Sequence, residues 1–108
     1  MAIYVIDTVI LNEISKGTEK AVIERELREK GDRYLKYVTE IAEKENLKVQ
    51  SILTIGEPHD QIVNYADSLR VNLIVMGTYG RRGAARLLIG SVAERVIEYS
   101  PCPVLVVR

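Results

Sequence analysis

Leu73-Ile74-Val75-Met76-Gly77-Thr78-Tyr79-Gly80, followed after nine further residues by Gly90-Ser91, decides how this chain is read. A short apolar run ends in a glycine-bearing loop. The loop in turn ends where a helical stretch, Val92 to Tyr99, begins. Four apolar residues bounded by glycine read as a strand. Glycine carries no Cβ. Gly77, Gly80 and Gly90 therefore either shape a tight strand-to-helix loop or let a ligand touch the main chain. A helix start adds N–H groups without intrahelical partners and a partial positive charge, which suits a phosphate. Ser91 is placed to offer a hydroxyl to the same anion or to cap the helix.

Working outward, the pattern alternates. Ala2 to Ile6 reads as a strand and Asp7 to Gly17 as a mixed connection. From about Thr18 to Asn46 the apolar residues Leu27, Tyr34, Leu35, Val38, Ile41 and Ala42 recur at helical spacing among Glu, Lys and Arg. Gly31 interrupts this run and is expected to mark a bend or a break, and Asn46 to stop the helix. Lys48 to Ile55 reads as a second strand. Gly56-Glu57-Pro58 then turns into a helix with Ile62, Val63, Ala66 and Leu69 on its apolar face. Leu73 to Met76 is the third strand, and a short helical piece is expected around Ala84 to Leu88. Pro101-Cys102-Pro103 ends the last helix, and Val104 to Val107 forms the fourth strand. Strands alternating with helices predict a parallel sheet with right-handed crossovers.

Composition narrows the function classes. A chain of 108 residues suits one domain around one core. Fifteen basic and fifteen acidic residues cancel, which argues against a dedicated nucleic-acid binder. No apolar run approaches the roughly 20 residues that span a bilayer. The start of the chain lacks the basic and apolar regions of a signal peptide. With Cys102 as its one cysteine, the chain is expected in a reducing cytoplasm. Six Tyr, with no Trp or Phe, leave a core of Val, Ile, Leu and Ala.

The chain resembles the universal stress protein family at Val5-Ile6-Asp7, Gly56-Glu57-Pro58 and the stretch Leu73 to Gly80. Gly90-Ser91-Val92-Ala93-Glu94 and Cys102 to Val107 carry the same resemblance, which covers essentially the whole chain and is weakest between Leu11 and Lys30. It implies a Rossmann-like α/β fold of the adenine nucleotide alpha hydrolase type, a mostly parallel sheet with helices on both faces and strand order 3-2-1-4-5. The four strands match the family's second to fifth. Its first strand, which usually bears an acidic residue, and the helix after it are not recognised. Residues 1–108 are thus expected to form a single domain, truncated at its N-terminal side relative to the family. The missing strand is central, so a gap is expected between Ala2–Ile6 and Leu73–Met76. Closure of the flanking strands, pairing from another subunit, or an upstream segment of a longer product would each fill it.

The family divides into members that bind ATP and members that do not, and the glycine set here resembles the binding group. The resemblance implies a cytoplasmic stress-response protein that binds an adenine nucleotide, ATP with or without Mg2+. Gly77, Gly80, Gly90 and Ser91 would hold ribose and phosphates, and Val92 and Ala93 would offer main-chain N–H groups. Val5 would touch the adenine and Met76 would lie against the nucleotide. The resemblance also implies a homodimer through Val104–Val107, and the open sheet adds strand exchange as a route to it. The alternative reading is a homodimeric interaction module that has lost its nucleotide.

Other residues weigh less. Arg81, Arg82 and Arg86 offer guanidinium groups to phosphate, or simply keep a loop solvated. Asp7 ends a strand and reads as a turn former or a ligand contact. His59 reads as structural, with no metal constellation around it, and Cys102 as a small buried residue. The charged stretch Glu24 to Glu45 reads as the solvated side of a helix, with partner binding as the sharper alternative. No Walker sequence and no metal-holding carboxylate set is visible, so no catalytic residue is assigned.

Overall fold

The computed structural model describes residues 1–8, 11–12, 19–77 and 89–107. Its elements run β1 (Ala2–Asp7), α1 (Glu19–Lys44), β2 (Ser51–Gly56), α2 (Pro58–Ser68), β3 (Ile74–Gly77), α3 (Ser91–Tyr99) and β4 (Val104–Val107). The α/β alternation anticipated from the sequence is present, and both strand pairings are parallel. The strands form two separate two-stranded ladders, β1–β2 and β3–β4. The chain divides into two compact units, Met1–Pro58 and His59–Arg108.

In the first unit β1 and β2 pair from Ala2↔Ser51 to Asp7↔Gly56. Helix α1 supplies the crossover that parallel pairing requires and packs on both strands. It buries Gly31, Leu35 and Ala42, a stripe at helical spacing. The helix runs unbroken through Gly31, so the expected break is absent. The glycine serves close packing instead. A Cβ placed there would lie 2.6 Å from Tyr4 Cδ1 and 2.8 Å from Leu53 Cδ1. The helix ends as the sequence anticipated, on Asn46 in the left-handed region at φ 59. Asn46 N–H donates to Glu43 O at 3.0 Å and Leu47 N–H to Ala42 O at 2.9 Å, a Schellman closure. The connection after β1 holds more than the sequence showed. Leu11 and Asn12 are helical, and the Leu11 side chain is fully buried.

In the second unit β3 and β4 pair from Ile74↔Val104 to Gly77↔Val107. Ala66 of α2, Ile74 of β3 and Val96 of α3 form the core, with Ile62, Val71, Met76, Val92, Cys102 and Val104 packed around it. Helix α2 closes with a second Schellman pair, Arg70 N–H to Asp67 O and Val71 N–H to Ala66 O, around Arg70 at φ 52. After α3, Ser100 stabilises the turn into β4. Its Oγ donates to Cys102 O at 2.6 Å and accepts from Cys102 N–H at 3.1 Å. The anticipated helical piece at 84–88 lies outside the described residues.

Candidate functional site

Two elements of the second unit frame the anticipated loop. β3 carries Met76 half-buried against the core and ends at the exposed Gly77. α3 begins at Ser91. Gly80, Arg81, Arg82 and Arg86 lie outside the described residues. Met76 and Val92 both pack on the core cluster, so the strand end and the helix start are held by shared apolar neighbours.

The helix start differs from one alternative drawn from the sequence. Gly90, not Ser91, is the N-cap, and no side chain caps the helix. Gly90 is extended at φ −64 and ψ 157, and its carbonyl accepts the Glu94 N–H at 3.0 Å. Ser91 already lies inside the first turn with its side chain exposed, so it cannot play the capping part. The amides of Ser91, Val92 and Ala93 precede the first intrahelical bond. Val92 and Ala93 turn their side chains inward, half-buried and buried. These two residues therefore anchor the turn by their side chains while their main chain forms the helix's positive end.

Val5 lies in the first unit, half-buried on β1 and opposite Thr54 of β2. Asp7 ends the same strand opposite Gly56. Cys102 is a free thiol packed around the second unit's core, half-buried rather than buried as expected. His59 is only 13% exposed and stands 3.2 Å from Asp60. Its ring lies 6.2 Å from that of Tyr99. With Asp60, Arg95, Glu98 and Tyr99 it lines an open cleft of about 480 Å³, on α2 and α3. Sequence reasoning missed this cleft because its residues converge from separate helices. None of the anticipated nucleotide-binding residues that are described lines it. Among the described residues, no helix is long and apolar enough to cross a membrane.

Comparison with known proteins bears on the whole chain. The family model described as "Universal stress protein family" matches residues 1–108. Universal stress protein MJ0531 of Methanocaldococcus jannaschii is 41% identical over 107 residues, covering 99% of this chain and 63% of that protein. A universal stress protein of Methanothermobacter thermautotrophicus is 32% identical, over 100% of this chain and 75% of the relative. The solved structure of MJ0577, described as a test case for structure-based assignment of biochemical function, superposes with a TM-score of 0.84 at 31% identity. That match covers 97% of this chain and 72% of MJ0577. UspA from Lactobacillus plantarum has the same fold, with a TM-score of 0.81 at 20% identity over 98% of this chain and 74% of that one. The chain spans about three fifths of the length of the first curated relatives it matches. The strand pairs, the glycine-framed helix start and the full-length family match agree: the chain belongs to the universal stress protein family.

Proposed function

We propose that this chain is a stress-response regulatory protein that binds an adenine nucleotide, ATP with or without Mg2+, through Gly77-x2-Gly80-x9-Gly90-Ser91. The observation that carries the reading is the start of α3. An uncapped helix opens on Gly90, and the amides of Ser91, Val92 and Ala93 are available to acceptors outside the helix ladder. Such an end favours a phosphate through N–H donation and the helix dipole together. Gly77 and Gly80 add no Cβ at their own positions, which leaves their main chain open to close approach. Arg81 and Arg82 supply charge to the phosphates, Met76 lies against the nucleotide, and Val5 meets the adenine. The action is occupancy rather than turnover: bound nucleotide orders the loop and shifts a surface that partners read. Any hydrolysis is slow and incidental, since the sequence carries no Walker motif beside the glycines. The protein acts in the cytoplasm.

Titration calorimetry with ATP, ADP and AMP tests this. The informative variant is Gly90→Val. The φ and ψ of Gly90 are open to any L-residue, so the added side chain blocks close approach without straining the backbone. Wild type should bind ATP and the variant should bind at least about tenfold more weakly. Equal affinity would remove this loop as the site.

A second reading, a homodimeric interaction module without nucleotide, draws on β4. Leu105 and Val107 are exposed on a strand whose ladder partner is β3. Pairing of Val104–Val107 across a dimer axis would satisfy such an edge. A dimer that forms in wild type, is abolished by Leu105→Lys and is accompanied by no ATP binding would favour this reading.

A further inference from the structure

The first unit holds an open groove along one strand. Among the described residues β2 pairs with β1 alone, so its other edge meets no strand. A groove of about 450 Å³ is lined by α1 and β2 and by no residue of β1, which places it on the outer side of β2. Leu35 of α1 and Leu53 of β2 give it an apolar floor. Thr39 Oγ1 and Ser51 Oγ, 3.2 Å apart, tie helix to strand within it. Its rim is acidic. Asp32, Glu40 and Glu43 stand there against one cation, Lys36, and all four side chains are exposed. None of the three carboxylates forms an ion pair with a described residue. Asp32 and Glu40 are eight residues apart on one helix, about 12 Å, with Lys36 midway.

We propose that this groove takes an extended basic segment of another protein, added to β2 as a third strand. The main chain and the rim do different work. An open strand edge offers hydrogen bonds to any extended partner, whatever its sequence. The rim charges select among such partners. Side chains on one face of a strand recur about every 6.6 Å, so positions i, i+2 and i+4 span about 13 Å. That step matches the run from Asp32 through Lys36 to Glu40. The segment that fits carries Lys or Arg at i and i+4 and an acidic residue at i+2. The apolar floor suits the aliphatic stems of the two basic side chains. The same carboxylates repel the phosphates of nucleic acid and of anionic membranes. A strand of six residues is a small interface, so the complex is weak and salt-dependent.

Fluorescence anisotropy of a labelled peptide, Thr-Lys-Val-Glu-Val-Lys-Thr, titrated with the whole chain, reads this binding. The expected Kd is about 0.1–1 mM at low salt, weakening at about 0.5 M NaCl. The charge-reversed peptide, Thr-Glu-Val-Lys-Val-Glu-Thr, should bind at least about tenfold more weakly, and so should a copy of the first peptide N-methylated along its main chain. Glu40→Lys should weaken the first peptide about tenfold or more. Glu26→Lys makes the same charge change at an exposed position of α1 outside the groove and should stay within about twofold. Both variants should keep the wild-type far-UV spectrum, since both positions are exposed. Any of four results would overturn the proposal: no binding of the first peptide up to about 1 mM protein, equal binding of the reversed peptide, equal binding of the N-methylated copy, or a loss at Glu26→Lys as large as at Glu40→Lys.

Discussion

Replacing Gly31 by alanine should destabilise the protein, although the same change in an open helix would stabilise it. Alanine is favoured over glycine in a helix interior by about 1 kcal/mol. Against that stands a Cβ with no room. It would fall 2.6 Å from Tyr4 Cδ1, 2.8 Å from Leu53 Cδ1 and 2.9 Å from Tyr4 Cε1. Contact between carbon atoms is comfortable near about 3.5–4.0 Å, so roughly 1 Å must be recovered from two neighbours at once. Tyr4 cannot yield cheaply, because its ring is stacked on Tyr34. Leu53 sits on β2, directly opposite Tyr4 in the ladder. Overpacking of this kind costs about 1–3 kcal/mol, and three contacts this short place it in the upper part of that range. The net loss is about 1–2 kcal/mol. Urea unfolding followed by far-UV circular dichroism at fixed protein concentration measures it. In a Leu53→Ala background, where one obstructing atom is removed, Gly31→Ala should cost less. A gain of about 1 kcal/mol from Gly31→Ala would refute the close-packing account and return Gly31 to an ordinary helix position.

Other positions give sharp contrasts. Leu11→Ala should cost about 2–5 kcal/mol because the side chain is 2% exposed, whereas Leu47→Ala, at 61% exposed, should stay within about 0.5 kcal/mol. Chemical denaturation of both variants checks the pair. Arg70→Gly should stabilise by about 0.5–1 kcal/mol. It relieves a left-handed residue, worth about 1–2 kcal/mol, at a smaller cost in unfolded-chain entropy. A lowered thermal midpoint would contradict that.

The architecture was legible because strand and helix periods are strong signals over these lengths. Apolar runs at Ala2–Ile6, Leu73–Met76 and Val104–Val107 fell on or within one residue of β1, β3 and β4. Asn46 was readable as a helix stop because asparagine tolerates the left-handed conformation it adopts. What stayed hidden depends on distant neighbours. A glycine inside a helix looks like a break until Tyr4 and Leu53, far away in sequence, are seen pressing on it. Leu11 follows Val9 and Ile10 in a connection of mixed composition, and nothing local singles it out as core. At the candidate site the glycine spacing was legible. Whether the cap was Gly90 or Ser91 was not, because that turns on one residue's backbone angles. Nor did α1's charge-rich sequence disclose that its apolar residues divide between a packed stripe and an exposed one.

The β3–β4 ladder sets a last question of the same kind. Ile74 is buried and Met76 half-buried, while their neighbour Val75 is 61% exposed and Leu105, its partner across the ladder, 52% exposed. Val107, opposite Gly77, is 48% exposed. One face of the ladder is therefore the core, and the other is apolar and open. A sheet with a wet face normally alternates apolar and polar residues, and an unbroken apolar run belongs to a sheet covered on both sides. The two rules make opposite forecasts for one substitution. If the geometry of this chain governs, Val75→Thr removes little buried surface and should change stability by no more than about 0.5 kcal/mol. Ile74→Ala, one residue away on the core face, should cost about 2–5 kcal/mol. If composition governs, something covers Val75 in solution, and its polar replacement should approach the cost at Ile74. We expect the first outcome in dilute protein. Comparable losses at the two positions, measured by urea unfolding at low concentration, would show that this face is covered and would overturn the reading of it as solvent-facing.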